Sequence, residues 1–179
     1  MFASFATAYE GGIPRKIRKG VIKKPPPTPN KPEIIPIAKL RKNMNVKKLR
    51  NNPFQHFVGI EVISLGNGNS ILQLELKDHH FNLYGIPHGG VHATLLDIAM
   101  GTAASFPDNS GREVDSVTLN LSVDYIAPPS SAILVAKGKV TKKGKSIAYC
   151  TAEIFDENKT LIASGRSIFK LYDRESKKN

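Results

Sequence analysis

The sequence has few of the residues that build disulfide-bonded or cysteine-ligated zinc proteins. It contains one cysteine, Cys150, and no tryptophan. A single cysteine excludes an internal disulfide and a cysteine-based zinc framework, and it suits a reducing compartment. Because Cys150 lies within the alternating pattern SIAYCTAEI, we predict a buried strand residue rather than a nucleophile.

Long apolar runs are also missing, since none approaches the ~20 residues that a transmembrane helix needs. The apolar start FASFATAY is short, and basic residues follow it rather than precede it, so we do not expect a secretory signal. We therefore predict a cytoplasmic protein. The alternative is a mitochondrial one, if residues 1–36 act as a targeting segment.

Acidic residues are scarce at the beginning of the chain. Residues 1–50 hold 13 Lys and Arg but 2 acids, so they carry the whole net charge of +11. Prolines recur between positions 25 and 36, and we predict that 1–36 is a basic, mostly disordered extension. The charge would suit nucleic acid or an anionic membrane surface, or only a solubilising tail. Aromatic residues are absent between Tyr9 and Phe54, so base stacking is not supported.

Residues 37–173 read as one folded domain and 174–179 as a polar tail. A short amphipathic helix at 37–49 would end before Pro53. Strand patterns cover 57–65, 70–77, 116–126, 132–141, 146–155 and 161–171, and one long apolar helix covers 88–105. The turn Gly66–Asn69 predicts a hairpin, and short links after the helix favour further hairpins. We therefore predict an α+β fold with an antiparallel sheet around one helix.

The segment NLYGIPHGGVHATLLD, residues 82–97, carries the strongest functional signal. The glycines Gly89 and Gly90 would let a substrate approach the backbone N–H groups at the positive end of the helix. Asp97 follows within the apolar helix, where an ionised carboxylate costs several kcal/mol, roughly, unless it is paired. An anion-stabilising helix start with an acid further along predicts acyl transfer or hydrolysis.

This segment resembles the signature of the hotdog-fold acyl-CoA thioesterases, in particular the PaaI-like branch of phenylacetate degradation. It has the pattern N-x-x-G-x-x-H-G-G followed by T-L-x-D, and the resemblance runs from Asn52 to Phe169. It implies the hotdog fold, with the sheet wrapped around a long central helix. It also implies hydrolysis of an acyl-CoA substrate without metal or a separate cofactor, since coenzyme A is part of the substrate.

The resemblance assigns a role to each residue of the motif. Asp97 becomes the general base for water or a nucleophile, which the sequence does not separate. Asn82 holds the water, the Gly89 N–H donates to the thioester oxygen, His88 orients or polarises it, and Gly90 leaves space for the ligand. Without the resemblance, His88 reads as a polar helix cap and Asn82 as a loop residue. His92, four residues after His88, raises a metal site, but a packed residue is favoured.

Two further sites follow from the strands. The alternation of strand 116–126 places Thr118 on one face, opposite a face formed by Val117, Leu119, Leu121, Val123 and Tyr125. The resemblance places Thr118 near the acid, contributed from across a dimer interface. It also places the turn Lys142, Lys143, Gly144 and Lys145 near the coenzyme A nucleotide, with Arg166 as a weaker candidate. From the sequence pattern alone, without the resemblance, these lysines are interpreted as a charged hairpin turn.

One helix and one curved sheet cannot enclose an acyl chain alone, so we expect the site to lie between subunits. The resemblance implies a homodimer or a dimer of dimers, the latter a homotetramer. Two alternatives remain open. The chain could be a non-catalytic acyl-CoA-binding domain with a basic arm for nucleic acid or membrane, or a hotdog hydratase or dehydratase.

Overall fold

The computed structural model describes residues 52–106 and 114–173. The predictions for 1–36, for a helix at 37–49 and for the tail 174–179 lie outside these residues. The elements in chain order are α1 (Pro53–Val58), β1 (Ile60–Gly66), β2 (Asn69–Glu75), a 3-10 turn (Asp78–His80), α2 (Gly89–Ser105), β3 (Val114–Tyr125), β4 (Ile133–Lys143), β5 (Ile147–Asp156) and β6 (Leu161–Asp173). No helix within the described part is long and apolar enough to cross a membrane.

The beginning of the described chain differs from the sequence prediction. A helix begins at Pro53, because the Asn52 side chain accepts a hydrogen bond from the Gln55 N–H and proline suits the first helical position. Gly59, with φ of +82°, then ends α1. The first strand therefore begins at Ile60 rather than at Phe57.

The hairpin between β1 and β2 is confirmed. Asn67 and Gly68 form its two-residue turn with φ of +46° and +71°. Positive φ at both turn positions matches the right-handed twist of the flanking strands, and Asn-Gly adopts it at low cost. The predicted loop at 79–87 contains the 3-10 turn, in which the buried His80 contacts the carbonyl of Val58.

The sheet is antiparallel throughout, as predicted, in the order β1-β2-β4-β5-β6-β3. The expectation of consecutive hairpins after the helix is wrong at its first link. β3 does not pair with β4; it pairs with β6 and forms one edge of the sheet. The edge position leaves one side of β3 without a neighbouring strand in the described part of the chain.

Helix α2 packs against all six strands and forms the centre of the core. Its apolar and small residues allow close approach, and the tightest point is at Gly138 on β4. A Cβ there would lie 2.6 Å from the Ala99 carbonyl oxygen and 2.6 Å from Ser70 Oγ. The Ser70 hydroxyl donates to that same carbonyl at 2.7 Å, which joins β2 to the middle of the helix.

Candidate active site

The start of helix α2 is capped by its own histidine. His88 is the N-cap residue, and its Nδ1 accepts a hydrogen bond from the Gly90 N–H at 2.9 Å. Because Nδ1 is the acceptor, a neutral His88 carries its proton on Nε2 and can donate it outward. A Cβ at Gly90 would lie 3.1 Å from Nδ1, so the His88 ring occupies the space beside Gly90. The role of Gly90 in ligand binding stays a prediction.

Gly89 is the first residue of α2, and Tyr125 holds it from the sheet side. The Tyr125 hydroxyl donates to the Gly89 carbonyl at 3.1 Å. A Cβ on Gly89 would lie 3.3 Å from the tyrosine ring, which favours glycine here. Among the described residues no group accepts the Gly89 N–H, since the first N–H groups of a helix have no partner within it. This N–H is available to a ligand oxygen.

Asp97 lies half-buried near the middle of α2, where the Thr118 hydroxyl donates to its Oδ1 at 2.8 Å. Burial raises the pKa of Asp97 above its ordinary value, and the hydrogen bond from Thr118 lowers it in opposition. The sequence prediction placed Thr118 across a dimer interface. The structure differs, because β3 runs beside the helix of its own chain and supplies Thr118 there.

A β-bulge explains how β3 reaches two separate points on the helix. The register with β6 shifts between Thr118 and Asn120, so Leu119 is an extra residue. Thr118 contacts Asp97 before the bulge, and Leu121, Val123 and Tyr125 face the helix or the core after it. The predicted strict alternation, with Thr118 facing away from Tyr125, is therefore wrong, because one added residue reverses the faces.

Asn82 satisfies its own loop through its side-chain oxygen. Its Oδ1 accepts from the Tyr84 N–H at 2.9 Å and from the Ile86 N–H at 3.4 Å. Its backbone also bonds with Gly85 and Ile86, which closes the loop just before His88. The amide nitrogen of the side chain remains the group through which Asn82 could hold a water molecule, so that role stays a prediction.

The lysine turn lies at the other end of the helix from Gly89. Lys143 donates to the carbonyl of Phe106, the residue that caps the C-terminus of α2, at 3.4 Å. Lys142, Gly144 and Lys145 are exposed beside it. Arg166 is exposed on β6, opposite Ser122 of β3. Within one chain these residues do not meet the helix start, and their contact with a nucleotide stays a prediction.

Two residues of this region had no functional assignment from the sequence. Tyr125 was predicted only as a member of a strand face, and nothing in an alternating pattern reveals a bulge that turns it toward Gly89. His92 is 6% exposed, and its Nε2 has no hydrogen-bond partner in the described residues. Burial lowers the pKa of His92, and its ring lies 6.1 Å from the Tyr125 ring.

The lone cysteine agrees with its prediction as a strand residue in the core. Cys150 is buried on β5, and burial raises its pKa to about 11, which disfavours the thiolate that nucleophilic attack requires. Across 52–106 and 114–173, no group of three or more His, Cys, Asp and Glu residues is placed to hold a metal ion.

Residues 84–163 match the thioesterase superfamily. Human acyl-coenzyme A thioesterase 13 is 30% identical over 122 residues, which cover 66% of this chain and 84% of that protein. The 1,4-dihydroxy-2-naphthoyl-CoA hydrolase of Listeria monocytogenes is 26% identical over 114 residues, covering 63% of this chain and 89% of its own.

Solved structures agree with the fold. A conserved protein of Pseudomonas aeruginosa has a TM-score of 0.64 at 28% identity and covers 70% of this chain and 98% of its own. The PaaI protein of the E. coli phenylacetic acid degradation operon also has a TM-score of 0.64, at 21% identity, covering 71% and 89%. The predicted α+β hotdog fold is confirmed.

Proposed function

The chain belongs to the thioesterase superfamily and is a thioester hydrolase, and from this premise we propose that it hydrolyses an acyl-CoA to a free carboxylic acid and coenzyme A. Two relatives carry names that specify coenzyme A thioesters as their substrates. The observation that carries the proposal is the half-buried Asp97, held by Thr118, on the same helix whose first N–H is without a described partner.

The proposed reaction uses these groups in sequence. A water oxygen attacks the thioester carbonyl carbon while Asp97 accepts a water proton, and the carbonyl oxygen takes up negative charge. The Gly89 N–H donates to that oxygen, and the Nε2–H of His88 assists. The carbon–sulfur bond then breaks, the thiolate leaves and is protonated, and the acid remains. Direct attack by Asp97, through an anhydride that water then opens, uses the same residues. Neither route needs a separate cofactor.

The raised pKa of Asp97 suits the general-base route. A base is most effective when its pKa lies nearer the working pH than that of an exposed carboxylate, and burial moves Asp97 in that direction. Thr118 keeps the carboxylate oriented and limits the rise. This pairing supports a catalytic role over a purely structural one, because a structural acid at this depth would more readily be neutralised by a cationic partner.

Thiol release from a panel of aromatic and medium-chain acyl-CoAs tests the proposal. Asp97→Asn is expected to lower kcat by at least ~10²-fold with KM within a few-fold, because amide nitrogen cannot accept the proton. Asp124→Asn is the matched control, since Asp124 is an exposed carboxylate on the same strand β3 as Thr118. Wild-type activity in Asp97→Asn, or saturable binding without turnover in the wild type, would refute the proposal. Product analysis separates hydrolysis from hydration.

We also propose that each active site combines two copies of the chain. Gly89 and Asp97 lie eight residues apart on one helix, which separates them by about 12 Å along its axis. A base and an oxyanion donor acting on one carbonyl each lie about 3 Å from the reacting atoms. Gly89 of one copy and Asp97 of another can both approach one carbonyl to this distance more easily than Gly89 and Asp97 of the same helix can. The open edge of β3, with exposed Val117 (54%) and Leu119 (59%), supports pairing of two copies.

Mixed dimers test this arrangement. Gly89→Pro removes the N–H while proline remains suited to the first helical position, and Asp97→Asn removes the base. Each variant alone is expected to lose nearly all activity. If sites are shared between chains, randomly mixed subunits contain one intact site in every heterodimer, and activity returns to about a quarter of wild type. If both residues of one chain serve one site, every site is damaged and no activity returns.

A further inference from the structure

We propose that Tyr125 is a positioning residue that fixes the Gly89 peptide for the thioester carbonyl. The inference deepens the proposed function and rests on it. Two contacts carry it: the Tyr125 hydroxyl donates to the Gly89 carbonyl at 3.1 Å, and the tyrosine ring lies 3.3 Å from where a Gly89 Cβ would be. One side chain thus bonds to the Gly89 carbonyl and fills the space that a side chain at Gly89 would need.

Gly89 needs such support because glycine is the most freely rotating residue. Its N–H belongs to the planar peptide between His88 and Gly89, whose carbonyl accepts a hydrogen bond from the Val91 N–H at 2.9 Å, whereas the carbonyl that Tyr125 contacts belongs to the next peptide. Among the described residues no hydrogen bond is made to the N–H itself. An oxyanion donor is effective when it is already aimed before charge develops. By holding the second peptide, Tyr125 restricts rotation at the α-carbon that joins the two peptides, and so limits movement of the helix start that carries the N–H.

The contact is not a by-product of burial. A buried tyrosine must place its hydroxyl on a partner, whereas an exposed one is satisfied by water. Tyr125 is 58% exposed, yet its hydroxyl bonds to the first residue of α2. It reaches Gly89 because the bulge at Leu119 turns the end of β3 toward the helix. The local structure therefore directs Tyr125 to Gly89 where packing does not require it.

Steady-state kinetics of Tyr125→Phe and Tyr125→Ala test the proposal. Tyr125→Phe keeps the ring and loses one neutral hydrogen bond, so kcat is expected to fall about 2- to 10-fold with KM nearly unchanged. Tyr125→Ala also loses the ring and is expected to fall further. Tyr149→Phe, at an exposed tyrosine on β5, is the matched control. Wild-type kcat in Tyr125→Phe, or a loss confined to KM, would overturn the proposal.

A double-mutant cycle separates positioning from general damage. In the wild type, a Gly89→Ala methyl group meets the Tyr125 ring, whereas in Tyr125→Ala the ring is gone. We expect the loss of kcat from Gly89→Ala to be several-fold smaller in the Tyr125→Ala background. Equal losses in the two backgrounds would mean that the ring does not control Gly89.

A spectroscopic measurement decides the point without turnover. With 15N-labelled glycine, the Gly89 amide resonance is assigned by its disappearance in Gly89→Ala. Tyr125→Phe preserves the aromatic ring near Gly89, so a shifted or broadened Gly89 resonance reports the lost hydrogen bond, whereas Tyr149→Phe leaves it in place. An unmoved resonance in Tyr125→Phe overturns the proposal. If the wild type hydrolyses no acyl-CoA, the proposed function fails while this measurement still tests the Tyr125 contact.

Discussion

Replacing Gly138 by alanine tests the close packing of α2 on the sheet. The added methyl carbon would lie 2.6 Å from the Ala99 carbonyl oxygen and from Ser70 Oγ. The first is backbone, and the second is held by its own 2.7 Å hydrogen bond to Ala99, so neither can move away cheaply. Overpacking costs about 1–3 kcal/mol and the disturbed hydrogen bond about 1 kcal/mol. Stiffening of the unfolded chain offsets about 0.4–1 kcal/mol, leaving about 1–4 kcal/mol of destabilisation.

Urea unfolding at one fixed protein concentration measures this change. With a slope of about 1–3 kcal/mol per molar urea, the midpoint should fall by roughly 1 M. Gly144→Ala is the control, because its nearest new contact is the Ile147 carbonyl at 3.4 Å, an ordinary separation. Its midpoint should stay at the wild-type value or rise slightly, because the unfolded chain is stiffened without a new clash. A Gly138→Ala midpoint equal to that of wild type would show that helix and sheet do not approach this closely.

Two predictions concern pH. Thr118→Val removes the hydrogen bond that lowers the pKa of Asp97 but leaves the burial that raises it, so the acidic limb of the kcat/KM profile should move to higher pH. Thr118→Ser keeps the hydroxyl donor, so its acidic limb should stay at the wild-type pH. An acidic limb that does not move in Thr118→Val would contradict the hydrogen bond between Thr118 and Asp97. Asp156 accepts hydrogen bonds from Ser130 and Thr160, which lower its pKa to about 2. Its stabilising effect is therefore present above its unfolded pKa near 3.8 and disappears as the pH falls through 2. Between pH 4 and 2 the urea midpoint should therefore depend less on pH in Asp156→Asn than in the wild type. The same dependence in both proteins would refute this.

The parts of the fold that follow from local chemistry could be predicted from sequence. Asn67-Gly68 specifies its turn by the positive φ that both positions need, and the apolar run after His88 specifies a buried helix. The neighbour of β3 could not be predicted from short links, because pairing with β6 is set by how the sheet closes around the helix. The start of β1 was predicted three residues early, because the alternating apolar pattern does not show that Asn52 and Pro53 start a short helix there.

The candidate site shows the same division. The sequence motif predicts Asp97 and Gly89, since the sequence itself shows a carboxylate within an apolar helix and glycines at the start of that helix. The contacts that surround these residues cannot be predicted from the sequence. The side-chain oxygen of Asn82 is used by its own loop, and the space beside Gly90 is filled by His88. These contacts depend on the path of the backbone, which spacing alone does not give.

The bulge at Leu119 connects the two halves of the proposed mechanism. Thr118 and Tyr125 are an odd number of positions apart, so a regular strand would turn them to opposite faces. The extra residue brings both to the helix, one at Asp97 and the other at Gly89. If Asp97 and Gly89 of one chain serve different active sites, then β3 supports one residue in each. The same strand forms the open edge proposed to meet the second copy. A shift of β3 at that interface would therefore displace Asp97, the base of one site, and Gly89, the oxyanion donor of the other.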